Sequence, residues 1–162
     1  MGRVQQMTTG DFASKNLLQE EQELLLPSLT NEIAIAVGEI AVKIGLERKL
    51  PIAIVIRIGE WTVFKAALPG SKPENDGWIE RKARVVSLTG HSTMYERVSA
   101  EERGVDWHKE HGVLDETHAI HGGGLPLITH DQGFQGILLI SGLPQVDDHK
   151  LGVEILKRYL AL

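Results

Sequence analysis

The sequence predicts an α+β domain, an antiparallel sheet flanked by α-helices. Three observations carry this expectation. Strand-like runs come in adjacent pairs, 52–58 with 61–68 and 125–128 with 136–141, instead of alternating with helices as a parallel α/β sheet requires. Helical periodicity fills the segments around those pairs. The chain has 162 residues, 42% of them apolar, which suffices for one core and falls short of two ordinary domains. The absence of cysteine excludes a disulfide framework, a thiolate nucleophile and thiolate-held zinc or iron–sulfur clusters. A balance of 17 basic and 22 acidic residues, net charge −5, argues against a general nucleic-acid binder.

Residues 1–15 are polar and aperiodic and read as a flexible tail, which leaves 16–162 as a single domain. The start lacks the apolar stretch of a signal peptide, and the run around Gly136–Ile140 is far shorter than the roughly 20 residues that span a bilayer. A cytoplasmic protein with no membrane partner is therefore expected. Leu17, Leu18, Leu24 and Leu25 flank Glu20, Glu21 and Glu23, which suggests a short amphipathic helix over 16–26, stopped at Pro27. Thr30 or Asn31 caps a second helix, with Ile33, Val37, Ile40, Ala41 and Ile44 at helical spacing and Gly45 as its stop.

Ile52, Ile54, Ile56 and Ile58 alternate with Ala53, Val55 and Arg57, the period of a strand with one well-buried face. Gly59-Glu60 suits a two-residue hairpin turn into the run that ends at Leu68. After Pro69-Gly70, Ser71 to Glu74 has capping-box spacing, with Asn75 or Asp76 as alternative caps, and a helix runs through Trp78, Ile79, Lys82, Val85 and Val86 to about Leu88. A further helix spans His91 to Arg103 and ends at Gly104, after which the pattern is weak to Ile120. Gly122, Gly123 and Gly124 form a turn before a short strand at 125–128. The segment 136–142 is apolar on both faces and reads as a central strand. Asp147 or Asp148 caps the closing helix, whose apolar side carries Leu151, Ile155, Leu156, Tyr159 and Leu160.

Four constellations bear on chemistry. All seven histidines lie between 91 and 149, with His108/His111 and His118/His121 three apart, but no metal signature such as H-E-x-x-H is matched, so no metal site is expected. His121-Gly122-Gly123-Gly124 has the form of an esterase oxyanion loop, yet the nucleophile elbow is missing, because Leu139 stands where G-x-S-x-G needs glycine. The glycines either let the backbone approach a ligand or form a plain turn. Trp78, Arg81, Lys82 and Arg84 lie within about two helical turns. They read as a stacking side chain with cations for a carboxylate-bearing ligand, or as a packed tryptophan beside a solvated charge run, the commoner case. Asp147-Asp148-His149 reads as helix capping in preference to an acid–base site.

Several ordered stretches together resemble a known family. They are Ala66-Ala67-Leu68-Pro69-Gly70, Asn75 to Lys82, His121 to Leu127, Gly136-Ile137, Ser141 to Gln145 and Asp147-Asp148-His149. From about Ile33 onward the chain resembles the HbpS-like heme-degrading-domain group, which includes GlcG-like proteins and the C-terminal domain of PduO. It is most similar to the branch long described only as proteins of unknown function. The resemblance implies a profilin-like antiparallel sheet flanked by helices, a homo-oligomer and, in some members, haem binding with slow degradation. Other members are linked to corrinoid, glycolate or propanediol systems, and a fungal branch to protein targeting. It carries no catalytic residue onto this chain. Haem, the implied cofactor, needs an apolar slot, cations for its propionates and commonly a histidine for its iron. The matching candidates are Trp78, Arg81 and Lys82 on the helix and His121, Gly122, Gly123 and Gly124 on the loop, with Trp78 largely buried. An oligomeric adaptor without small-molecule chemistry is the alternative.

Overall fold

The computed structural model describes residues 7–162. Four strands, β1 (Ala53–Ile58), β2 (Trp61–Ala67), β3 (Gly124–Thr129) and β4 (Gly133–Ser141), form one antiparallel sheet in the order β2-β1-β4-β3. Six helices surround it: α1 (Ser14–Glu23), α2 (Asn31–Glu47), α3 (Glu74–Thr89), α4 (Thr93–Arg103), α5 (Trp107–His111) and α6 (Gln145–Tyr159). The α+β architecture is the one the strand pairs predict, and β4 is central as its two-sided apolar run requires.

The hairpin turns where expected, with Gly59 at φ +58° and Ile58 opposite Trp61. One expectation for β1 fails: both of its faces are buried. Ile54 and Ile56 join Leu138, Ile140, Leu125 and Leu127 beneath α2 and α6, while Ala53, Val55, Ile137 and Leu139 pack under Ile79, Ala83 and Val86 of α3. The small Ala53 and the short Val55, facing Ala83, let a single helix cover that second face closely. No described helix is long and apolar enough to cross a membrane.

Helix ends show where local rules give way. Thr30, Ser92 and Asp106 cap α2, α4 and α5, accepting from the backbone N–H of Ile33, Tyr95 and Lys109. Gly45 does not stop α2, which continues to Glu47; the glycine is there because a Cβ would collide with Leu68. The capping box before α3 does not form, since Ser71 Oγ donates to the Leu68 carbonyl and Asn75 Oδ1 accepts from Lys72 N–H. Neither Asp147 nor Asp148 caps α6, which follows Pro144. Of the tail expected over 1–15, residues 1–6 lie outside the described residues. Thr9 and Ser14 are tied by backbone and hydroxyl to Glu101 and Glu102 of α4.

Candidate functional site

Ile79, Lys82, Ala83 and Val86 form the apolar stripe of α3, at i, i+3, i+4 and i+7. A lysine on that stripe is carried inward, and Lys82 is only 2% exposed. Its ammonium donates to the Ile140 carbonyl at 2.9 Å and to Asp148 Oδ2 at 3.3 Å. Asp148 holds the equivalent place on α6, in line with Leu151 and Ile155, and is buried with it. Its other oxygen accepts from Leu143 N–H at 3.1 Å. Asp148 is thus a buried counter-ion, and this replaces the capping role read from the sequence. Likewise the cations of α3 are not one solvated face, because Arg84 alone of the three is exposed.

The loop after α5 supplies the opposite wall. Arg81, Arg84 and Arg97 donate to the carbonyls of Asp115, Thr117 and Ile120, and this pinning brings His121 over α3. The His121 ring meets the Trp78 indole edge-on, with centroids 4.6 Å apart, and the Arg81 guanidinium stacks on Trp78 at 4.4 Å. Trp78 is partly buried within the chain. His121 Nδ1 is buried without a hydrogen-bond partner.

Between these walls lies a cleft of about 270 Å³, lined by Asn75, Trp78, Lys82, His121, Ser141, Gly142, Leu143, Gln145 and Asp148. The structure therefore brings together three of the sequence candidates, Trp78, Lys82 and His121, and places Arg81 behind the tryptophan. The three glycines back the cleft without lining it. Gly122 N–H donates to Gln145 Oε1 and Gly124 N–H to Thr93 Oγ1, so neither is free for a ligand. Gly123, at φ +123°, lets the backbone pass so near the ion pair that a Cβ would stand 2.7 Å from Lys82 Nζ. Ser141, Gln145 and Asp148 were missed as site residues. For Asp148 the signal was available, a charge on the apolar stripe of a helix.

Burial sets the electrostatics. It pushes the Lys82 ammonium down and the Asp148 carboxyl up to about 6, against the attraction between the two. Burial, then the nearby Arg97 and Lys82, depress His121 to about 4, so its imidazole is neutral at pH 7. A neutral imidazole with an unpartnered nitrogen, above a buried cation, can accept a proton or a metal-bearing ligand and can face an anionic group. Of the other histidines, His91 pairs with Glu21, His149 with Glu20 through Nε2 while its buried Nδ1 also lacks a partner, His108 with the His118 carbonyl, His118 with Thr117, and His111 stacks on Trp107, while His130 is exposed. Among the described residues no three His, Asp or Glu side chains converge as a metal group.

Comparison with known proteins gives a consistent picture. Residues 29–157 match the family model described as haem degrading protein HbpS-like. A UPF0303 protein of Streptomyces avermitilis is 38% identical over 141 residues, covering 87% of this chain and 86% of its own. Among solved structures, the Ybr137w protein superposes with a TM-score of 0.83 at 25% identity, over 93% of this chain and 90% of that one. The PduOC:heme complex shares the fold at a TM-score of 0.66 and 17% identity, over 80% and 93% of the two chains.

Proposed function

The chain belongs to the HbpS-like haem-degrading family, and from that premise we propose that it is a binding protein for haem or a smaller carboxylate-bearing molecule, with the cleft between α3 and the glycine loop as its site. The observation that carries this reading is the uncommitted His121 imidazole, neutral and facing Trp78, which lines the same cleft as the buried Lys82–Asp148 pair. Buried polar atoms are nearly always hydrogen-bonded, and of the two unpartnered ring nitrogens, His121 Nδ1 and His149 Nδ1, the first belongs to a ring that lines the cleft, which supports a ligand there.

The residues fit one edge of a tetrapyrrole. His121 would hold the iron and Lys82 or Arg81 would face a propionate, while bound haem would supply the redox chemistry of its metal. The volume, about 270 Å³, sits just below the ~300–1,000 Å³ of pockets that enclose drug-sized ligands, so the cleft would take only part of a macrocycle, its propionate side with the iron against His121. The chain's own residues orient that edge: Trp78 stacks, Arg81 stiffens Trp78, and Ser141 and Gln145 offer uncharged hydrogen bonds. Assembly as a homo-oligomer is part of the same reading.

Hemin titration followed at the Soret band tests it. Wild type should saturate with a shifted band, His121→Ala should bind at least tenfold more weakly, and Arg81→Ala should fall between them. Equal binding by all three proteins places any haem elsewhere. An unshifted band for wild type would hand the function to the adaptor reading, in which the assembled surface binds proteins.

A further inference from the structure

The Lys82 ammonium has three N–H donors, and among the described residues only two find acceptors, the Ile140 carbonyl and Asp148. The contact with Asp148, at 3.3 Å, is long for a charge-assisted bond, which ordinarily measures about 2.7–2.9 Å. Among the described residues Asp148 is also the sole carboxylate on the cleft wall. The remaining polar groups there are uncharged: the Ser141 hydroxyl accepts from Asn75, and Gln145 uses its oxygen on Gly122, leaving its NH₂ group unengaged. The floor is therefore a buried cation with a loosely held internal anion, ringed by neutral donors.

We propose that the group recognised in this cleft is a single carboxylate, which takes Lys82 from Asp148 while Asp148 takes up one proton from solvent. This rests on the cleft being the ligand site. The balance is simple: a ligand anion and one proton enter, the Lys82 cation keeps one anionic partner, and Asp148 becomes a neutral carboxylic acid that still accepts from Leu143 N–H. Two anions beside one buried ammonium would leave a net buried charge, which burial strongly disfavours. Asp148 is suited to the exchange because it is buried and its burial already raises the carboxyl to about 6, so that protonating it near pH 7 costs little. The other charged or titratable groups around the exchange are Lys82 itself from α3, the neutral His121 from the loop and, acting on His121, Arg97 of α4, Arg81 of α3 and Asp115 of the loop. Both a tetrapyrrole propionate and a small organic acid carry the required group.

The test compares acids with their neutral twins: hemin against its dimethyl ester by Soret titration, and benzoate against benzamide by calorimetry. At least one acid should bind tenfold or more tightly than its twin, and Lys82→Met should erase the difference. Above pH 6 the acid's affinity should fall about tenfold per pH unit, because one proton enters with it. Asp148→Asn keeps the shape and the lysine; it should strengthen acid binding at pH 7.5 by about thirtyfold and flatten the pH dependence, a response that loss of structure would not give. Acid and neutral twins binding alike, no binding in either pair, or a pH slope that survives Asp148→Asn would each overturn the proposal. If hemin and its ester bind equally well and benzoate gains nothing over benzamide, the haem site stands and this inference fails. If benzoate alone binds with the predicted Asp148→Asn response, the inference stands and the haem reading fails.

Discussion

His91 and His121 are both partly buried imidazoles, and their surroundings drive them in opposite directions. His91, just ahead of α4, lies 2.8 Å from the buried carboxylate of Glu21 on α1, and that hydrogen bond raises its pKa above the ordinary value. Glu21 also accepts from Ser92 N–H at 2.8 Å, so one carboxylate fastens α1 to the start of α4. A second pair, His149 with Glu20 at 3.0 Å, fastens the same helix to α6. Among the described residues His121 has no carboxylate hydrogen-bond partner; burial and the cations Arg97 and Lys82 keep it neutral. The difference teaches how this fold separates holding from binding. A carboxylate commits an imidazole to structure, while cations and burial leave one uncommitted in a cleft.

Breaking each region should reveal that division. The largest effect is expected from Lys82→Met, which strands Asp148 as a buried unpaired charge and should cost about 3–5 kcal/mol at pH 8. At pH 5, below the raised value of Asp148, that carboxyl is protonated and the loss should shrink. Chemical denaturation at the two pH values checks this. Equal losses would mean that the pair is not the source.

A smaller effect, about 1–2 kcal/mol, is expected from Glu21→Gln, which weakens the acceptor for both His91 and Ser92 N–H. Here the pH sense reverses. His91 has a raised pKa in the folded chain, so its contribution is complete below the unfolded value of about 6.5 and is lost as pH rises through the folded value. Wild type and Glu21→Gln should therefore differ more at pH 6 than at pH 8. A gap that widens with pH would contradict the latch.

The two regions were not equally legible in the sequence. The hairpin and central strand were read correctly, because alternation and a two-sided apolar run are local properties. Lys82 and Asp148 were readable in principle, each lying three or four residues from apolar positions on its helix, but charge runs and acids near helix starts usually have blander roles. His121 was singled out only as the histidine beside the glycines. Its placement depends on arginine-to-carbonyl bonds that join residues 23 to 34 positions apart, and no periodicity encodes those. Gly123 has the same limit: the turn was visible in the sequence, and the ion pair it accommodates was not.

The most direct test of the division is an NMR titration of the imidazoles, assigned with His91→Gln and His121→Gln, before and after addition of zinc protoporphyrin. The account predicts that His121 titrates near 4 and shifts on addition of the porphyrin, while His91 titrates above 6.5 and does not move. A His121 midpoint at or above 6.5, or a porphyrin response at another histidine with His121 unmoved, would contradict it.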